Sequence, residues 1–293
     1  MTTRDDVRDF LVSRRARITP AMVGLPSGGS RRVAGLRRGE VAILAGVSVE
    51  YYTKLERGDL RGVSDEVLEA IAGALRFTEA EHRHLFDLAR TANAGAKARK
   101  RATTRTGVRP SLLHLLTSIT DAAAVLGDRT SGIVAANSLA RALYDPLYRT
   151  MGDHVTYARY IFFDPSSQQF YPDWEDIADA SVASLRTVAG RNPFDREISD
   201  LVGELSTRSE AFRVRWARHD VRLHIEGVKR IQHPAVGLLE LEYNTLVLPG
   251  DEDLTLTVYT AAPGSDSADR LRLLATWWAT ENVQNASTTT AEP

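Results

Sequence analysis

Cysteine is missing from all 293 residues, which excludes disulfides, thiolate metal sites and cysteine nucleophiles. No window approaches the ~20 uninterrupted apolar residues that a bilayer-spanning helix needs, so no membrane segment is expected. The first residues, MTTRDD, are polar and acidic rather than apolar, which argues against a secretory leader and for the cytoplasm. Lysine is scarce: of 37 basic residues only Lys54, Lys97, Lys100 and Lys229 are not arginine. The sequence also lacks a Gly-x-Ser-x-Gly elbow, a phosphate loop and a dinucleotide fingerprint, so catalysis is not expected. What is present is ordinary globular material, 43% hydrophobic and 26% charged, with a length that predicts about two domains at ~150 residues each.

The net charge of -1 is the sum of two opposed halves. Residues 1–105 carry 20 basic against 13 acidic residues, and residues 106–293 carry 17 against 25. A front of +7 followed by a back of -8 suggests that only the front meets a polyanion. Apolar spacing predicts helices over 4–17, 36–45, 49–57, 65–75 and 79–90, with a Gly, Pro and Ser-rich loop carrying Arg31 and Arg32 over 18–35. Residues 1–90 therefore read as an all-α domain and 91–109 as a basic, solvated linker that includes Lys97 to Arg101. From Pro110 the spacing predicts a helix capped by Ser111 and running through Val125, a strand over 131–136, and helices over 137–144, 155–163, 174–189, 196–206 and 209–218. The period then changes to two. Val221-Leu223-Ile225, Leu239-Leu241-Tyr243 and Leu254-Leu256-Val258 predict an antiparallel meander, followed by a helix over 267–280. The second domain is thus α+β over 110–281, and 282–293 reads as a disordered polar tail.

Residues 38–58 have the pattern of a helix-turn-helix. Val41, Ala42 and Leu44 face inward, Gly46 makes the turn, Ser48 caps the second helix, and Tyr52 and Leu55 anchor it. That leaves Val49, Glu50 and Tyr51 at its start, with Thr53, Lys54 and Arg57, on the face that a recognition helix turns to the major groove.

The string GLRRGEVAILAGVSVEYYTKLERG resembles the DNA-binding domain of Xre/Cro-type repressors, and nearly the whole chain resembles the MmyB-like regulators through FLVSRRARITPAMVGLPSGGSRRVAGLRR, ARYIFFDP, YPDWEDIA, GELSTRSEAFRVRWARHDVR and HPAVGLLELEY. The resemblance implies an Xre/Cro-type domain that binds double-stranded DNA, with Arg38 on phosphate and Val49, Glu50 and Lys54 on bases, and a PAS-like C-terminal domain that senses a fatty acid or another small hydrophobic ligand. Glu50 departs from a purely basic reading face, since it accepts from cytosine but repels phosphate. A single +7 half binds weakly, so a homodimer with recognition helices ~34 Å apart is expected.

In the back half Arg159, Phe162, Phe163, Trp174, Phe212, Trp216 and Tyr243 are the candidate ligand contacts. Each aromatic is equally at home in an ordinary core, and the domain could instead serve only dimerisation or a protein partner. Arg159, set among apolar neighbours, reaches water, pairs with an acid such as Asp164 or Asp173, or holds a ligand carboxylate. His219, Asp220, His224, His233, Glu240 and Glu242 match no metal-ligand spacing, and no cofactor beyond a bound lipid is expected.

Overall fold

Three- and four-residue apolar spacing produces the helices of the front part of the chain, as seen in a computed structural model that describes residues 3–26, 33, 35–93, 107–221, 225–251 and 253–289. They are α1 (Thr3–Arg17), α2 (Arg38–Leu44), α3 (Val49–Glu56), α4 (Asp65–Ala74) and α5 (Glu79–Asn93), with a 3-10 turn at Pro20–Val23. Val7, Phe10 and Leu11 of α1 join Val41, Tyr52, Leu55, Leu68, Ile71, Leu85 and Leu88 in one buried cluster. Burying each such side chain stabilises by about 1.5–3 kcal/mol, which fixes α2 and α3 as a hairpin on the other helices. Arg31, Arg32 and the 97–101 run lie outside the described residues.

Beyond Pro110 come α6 (Pro110–Ser118), β1 (Ala123–Gly127), β2 (Ile133–Ala136), α7 (Ser138–Leu143), α8 (Asp145–Met151), α9 (Tyr157–Phe163), α10 (Ser167–Phe170), α11 (Trp174–Arg191), α12 (Arg196–Arg208), α13 (Glu210–Trp216), β3 (Glu226–His233), β4 (Gly237–Val247), β5 (Thr255–Thr260) and α14 (Asp266–Thr289). The strands form one antiparallel sheet in the order β2-β1-β5-β4-β3. This is the α+β, PAS-like architecture implied by the resemblance. One sheet face meets α7 and α14 through Ala123, Val125, Leu241 and Tyr259, and the other meets α6 through Ala124, Leu126 and Leu256.

By contact density the chain forms two units that are not contiguous in sequence. The first comprises residues 1–103, 182–206 and 213–223; the second comprises 104–181, 207–212 and 224–293. The cut placed after the helix-turn-helix on composition therefore differs from the spatial one.

Five local expectations are corrected. Leu44, expected to face inward, is exposed at the end of α2, where Ala45 takes the buried position instead. The helix expected through Val125 ends at Ser118, begins at Pro110 with Arg109 rather than Ser111 as its cap, and gives way to β1. The buried Asn137 side chain enforces the break: its Nδ2 donates to the carbonyls of Ile119 (2.7 Å) and Ala122 (2.8 Å), while its Oδ1 accepts from the amides of Ala124 (3.1 Å) and Ala140 (2.8 Å). β1 is covered on both faces, so it carries no polar alternation to announce itself. The strand expected over Val221-Leu223-Ile225 instead begins at Glu226, because pairing of Lys229 with Leu241 and Ile231 with Leu239 sets the register, while Val221 is buried in the first unit's core. Helix α5 extends into the expected linker to Asn93, and α14 runs to Thr289 instead of ending near Thr280, since the segment has no Gly or Pro to stop a helix already nucleated.

Candidate functional site

Helix α3 is placed by three local devices. Gly46 takes φ +66°, a left-handed turn that disfavours side chains; Ser48 Oγ accepts from the Tyr51 amide at 3.0 Å; and Tyr52 and Leu55 are fully buried. The opposite face is open. Ser48, Val49, Glu50, Lys54 and Arg57 are exposed, whereas Tyr51 and Thr53 are half-buried and Tyr51 leans on the core. Lys54 Nζ lies 3.7 Å from Asp59 Oδ2, a loose pair that a competing phosphate or base could replace.

Arg38 opens α2 and is about half exposed, but its Nε donates to Glu56. Glu56 is 1% exposed and is the hub of this corner: its Oε1 also accepts from Arg15 Nε at 2.5 Å and, at 3.4 Å, from the Tyr52 hydroxyl. Burial, and next the Glu56 charge, push the Tyr52 phenol well above its ordinary range. Arg15 also donates to the Leu36 carbonyl at 2.7 Å. The orientation of Arg38 is thus fixed from inside the domain. Glu56 gave no sequence signal of its own, because a glutamate late in a surface helix is normally solvated.

The first unit holds a second ionic cluster. Arg14, 3% exposed, meets Glu81 at 3.2 Å and Asp220 at 3.3 Å and donates to the His219 carbonyl. Arg186 stacks 3.9 Å over the Trp216 ring and donates to His219 Nδ1 at 3.0 Å, and Arg191 pairs with Asp87 at 2.6 Å. Burial first, then Arg186, lowers His84 to about 3 and His219 to about 4. His219 and Asp220 therefore build this cluster. Among the described residues no group of three or more His, Asp and Glu could hold a metal ion.

The expected ligand contacts separate into groups. In the second unit Phe162 meets Phe212 (5.2 Å) and Trp174 (6.2 Å) edge to face, and the Arg208 guanidinium lies 4.2 Å over Phe163. Arg159 donates to Thr156 Oγ1 at 3.4 Å. Trp216 belongs to the first unit. Tyr243 sits apart from the phenylalanines, 6.1 Å from Tyr259, among tyrosines that surround Lys229. A groove of about 250 Å³ lined by Gln168, Pro172, Asp173, Trp174, Glu175 and Asp176 is small for a ligand site and too acidic to attract an anion. Lys229 escapes the sequence reading because the expected strand ends before Gly227, while β3 continues to His233 and turns Lys229, Ile231 and His233 inward.

No helix among the described residues is long and apolar enough to cross a membrane. The family described as the MmyB-like transcription regulator ligand binding domain matches residues 108–274, and a helix-turn-helix domain family matches residues 29–85. No curated protein matches the chain.

Proposed function

Because the chain belongs to the MmyB-like transcription regulators, with a helix-turn-helix domain ahead of a ligand-binding domain, we propose that it binds specific double-stranded DNA sites as a cytoplasmic homodimer and that its C-terminal domain senses a small hydrophobic ligand such as a fatty acid. The observation that carries the DNA reading is the open face of α3, with Glu50, Lys54 and Arg57 standing on a buried Tyr52 and Leu55. Arg38, held by Glu56, supplies the phosphate contact beside it. Two recognition helices are needed because the charge of one basic half gives only salt-sensitive, weak affinity.

The expected assay result is a footprint with two half-sites about one helical turn apart, bound by the full-length protein and weakened by salt. Absence of duplex binding at low salt overturns the DNA reading. Native mass spectrometry of the purified protein tests the sensor: a co-purifying amphipathic lipid supports it. The edge-to-face packing of Phe162, Trp174 and Phe212, which is ordinary core geometry, favours a second reading in which the domain only dimerises or binds a protein. No bound lipid, and no thermal shift across a fatty-acid panel, selects that second reading.

A further inference from the structure

Resting on the reading that the C-terminal domain takes an amphipathic ligand, we propose that Lys229 and the phenols around it are the receptor for that ligand's headgroup, a carboxylate on an apolar chain. Lys229 sits on β3, where the pairing of the sheet turns its side chain into the core, and only 7% of the residue is exposed. No carboxylate pairs with it among the described residues; its Nζ has a single hydrogen-bond partner, the Tyr259 hydroxyl at 3.3 Å. Four rings enclose it instead, with centroids 5.2 Å (Tyr259), 5.5 Å (Tyr243), 5.8 Å (Tyr157) and 5.9 Å (Tyr171) from Nζ.

Two further groups point to a missing acceptor. The hydroxyl oxygens of Tyr144 and Tyr157 are buried and have no hydrogen bond of good geometry, although their rings lie 5.2 Å apart and Tyr144 lies 5.8 Å from Tyr259. Buried hydroxyls nearly always find a well-formed partner, so two that have only each other and Tyr259 nearby, beside an ammonium with no counter-charge, are unusual. Burial holds the phenols of Tyr144, Tyr157 and Tyr171 well above their ordinary range, so they stay protonated and donate. An ammonium and two protonated phenols form a set rich in donors that contains no anion. Such a set suits the several lone pairs of a carboxylate, repels a cation, and leaves its charge unmatched by a neutral headgroup.

The surroundings suit an apolar chain, since the same core includes Leu143, Ile161, Ile231 and Leu241. Space for Tyr243 is made by Gly227, the residue opposite it on β3, where an added Cβ would lie 2.9 Å from the Tyr243 hydroxyl. A lysine here also stands out in a chain that mostly uses arginine: its compact charge with three rotatable donors suits a ring of phenols.

The test titrates full-length protein with decanoate and with 1-decanol, which share a chain and differ in headgroup. Wild type is expected to bind decanoate at least tenfold more tightly than the alcohol, K229M to bind both alike, and Y157F to lose part of the preference. K229M is expected to be at least as stable as wild type without ligand, since it removes a buried, unpaired charge. If K229M does not fold, the 13C-lysine spectrum of wild type decides, with K229R identifying the Lys229 signal among four lysines. That signal is expected to move with decanoate and not with decanol. An acid preference that survives in K229M, or a Lys229 signal indifferent to decanoate while decanoate binds, overturns the receptor and leaves the sensor standing. Binding of neither compound by wild type overturns the receptor and the fatty-acid reading together.

Discussion

Neutralising Glu56 tests whether the corner that presents Arg38 is built around a buried charge. In Glu56→Gln the shape is kept and one carbonyl oxygen can still accept, but Arg15, only 13% exposed at its side chain, loses its counter-charge and keeps the Leu36 carbonyl. Breaking a buried pair from one side costs about 3–5 kcal/mol, and the residual hydrogen bond puts the expected loss at the low end, about 3 kcal/mol. Arg38 adds no more than about 1 kcal/mol, because its side chain is 48% exposed and solvent already screens it. At about 3–4 °C per kcal/mol for a unit of this size, the melting temperature of the first unit falls by roughly 10 °C. Urea unfolding of wild type, Glu56→Gln, Arg15→Met and the double variant measures it, with an expected coupling of about 2 kcal/mol. Single variants within about 0.5 kcal/mol of wild type, or losses that simply add, refute the hub.

Three further outcomes are expected. His84 and His219 are held at about 3 and about 4 against an ordinary 6.5, so the stability they give as neutral rings is complete above pH 6.5 and is lost as pH falls through 6.5 towards those values. That loss amounts to about 1.4 kcal/mol per pH unit for each ring; urea midpoints at pH 7, 6 and 5 measure it, and a flat profile excludes it. Gly190→Ala places a Cβ 2.4 Å from His84 Cε1, a buried ring with little room to move, and should destabilise by about 1–3 kcal/mol in thermal unfolding; an unchanged melting point shows that the contact yields. On a footprinted site, Arg38→Ala should weaken binding to all sequences alike and lower the salt slope by about one, while Lys54→Ala should cost about 1–3 kcal/mol at one base pair; identical behaviour of the two in titrations against mutated sites means α3 does not read bases.

The helix-turn-helix was legible because each of its determinants is local. Gly46, Ser48, Tyr52 and Leu55 lie within ten residues of one another, and cap, turn and spacing agree. The sheet was legible only in part. β4 and β5 alternate cleanly, but β1 is buried on both faces and its Ala123-Ala124 start reads as helix until Asn137 is placed against it. The ionic cluster could not be read at all: Arg14 and Asp220 are 206 positions apart, and nothing near either announces the other. Lys229 was hidden by the strand's bounds and not by its register: Val221, Leu223 and Ile225 share parity with the inward Lys229, Ile231 and His233, but the expected strand stopped before Gly227 whereas β3 runs to His233.

The interleaving of the first unit bears on how such regulators can be recombined. Residues 182–206 and 213–223 fall inside the segment matched by the ligand-binding family, yet they supply the partners of Arg14, Asp87 and His84 in the unit that carries α3. A chimera cut in the basic stretch after α5 would strip Arg14 of Asp220 and the His219 carbonyl, leave Asp87 without Arg191, and uncover the apolar seat of Val221. Exchange of operator specificity between relatives is therefore expected to work by regrafting the exposed residues of α3, not by swapping the front third of the chain as a cassette.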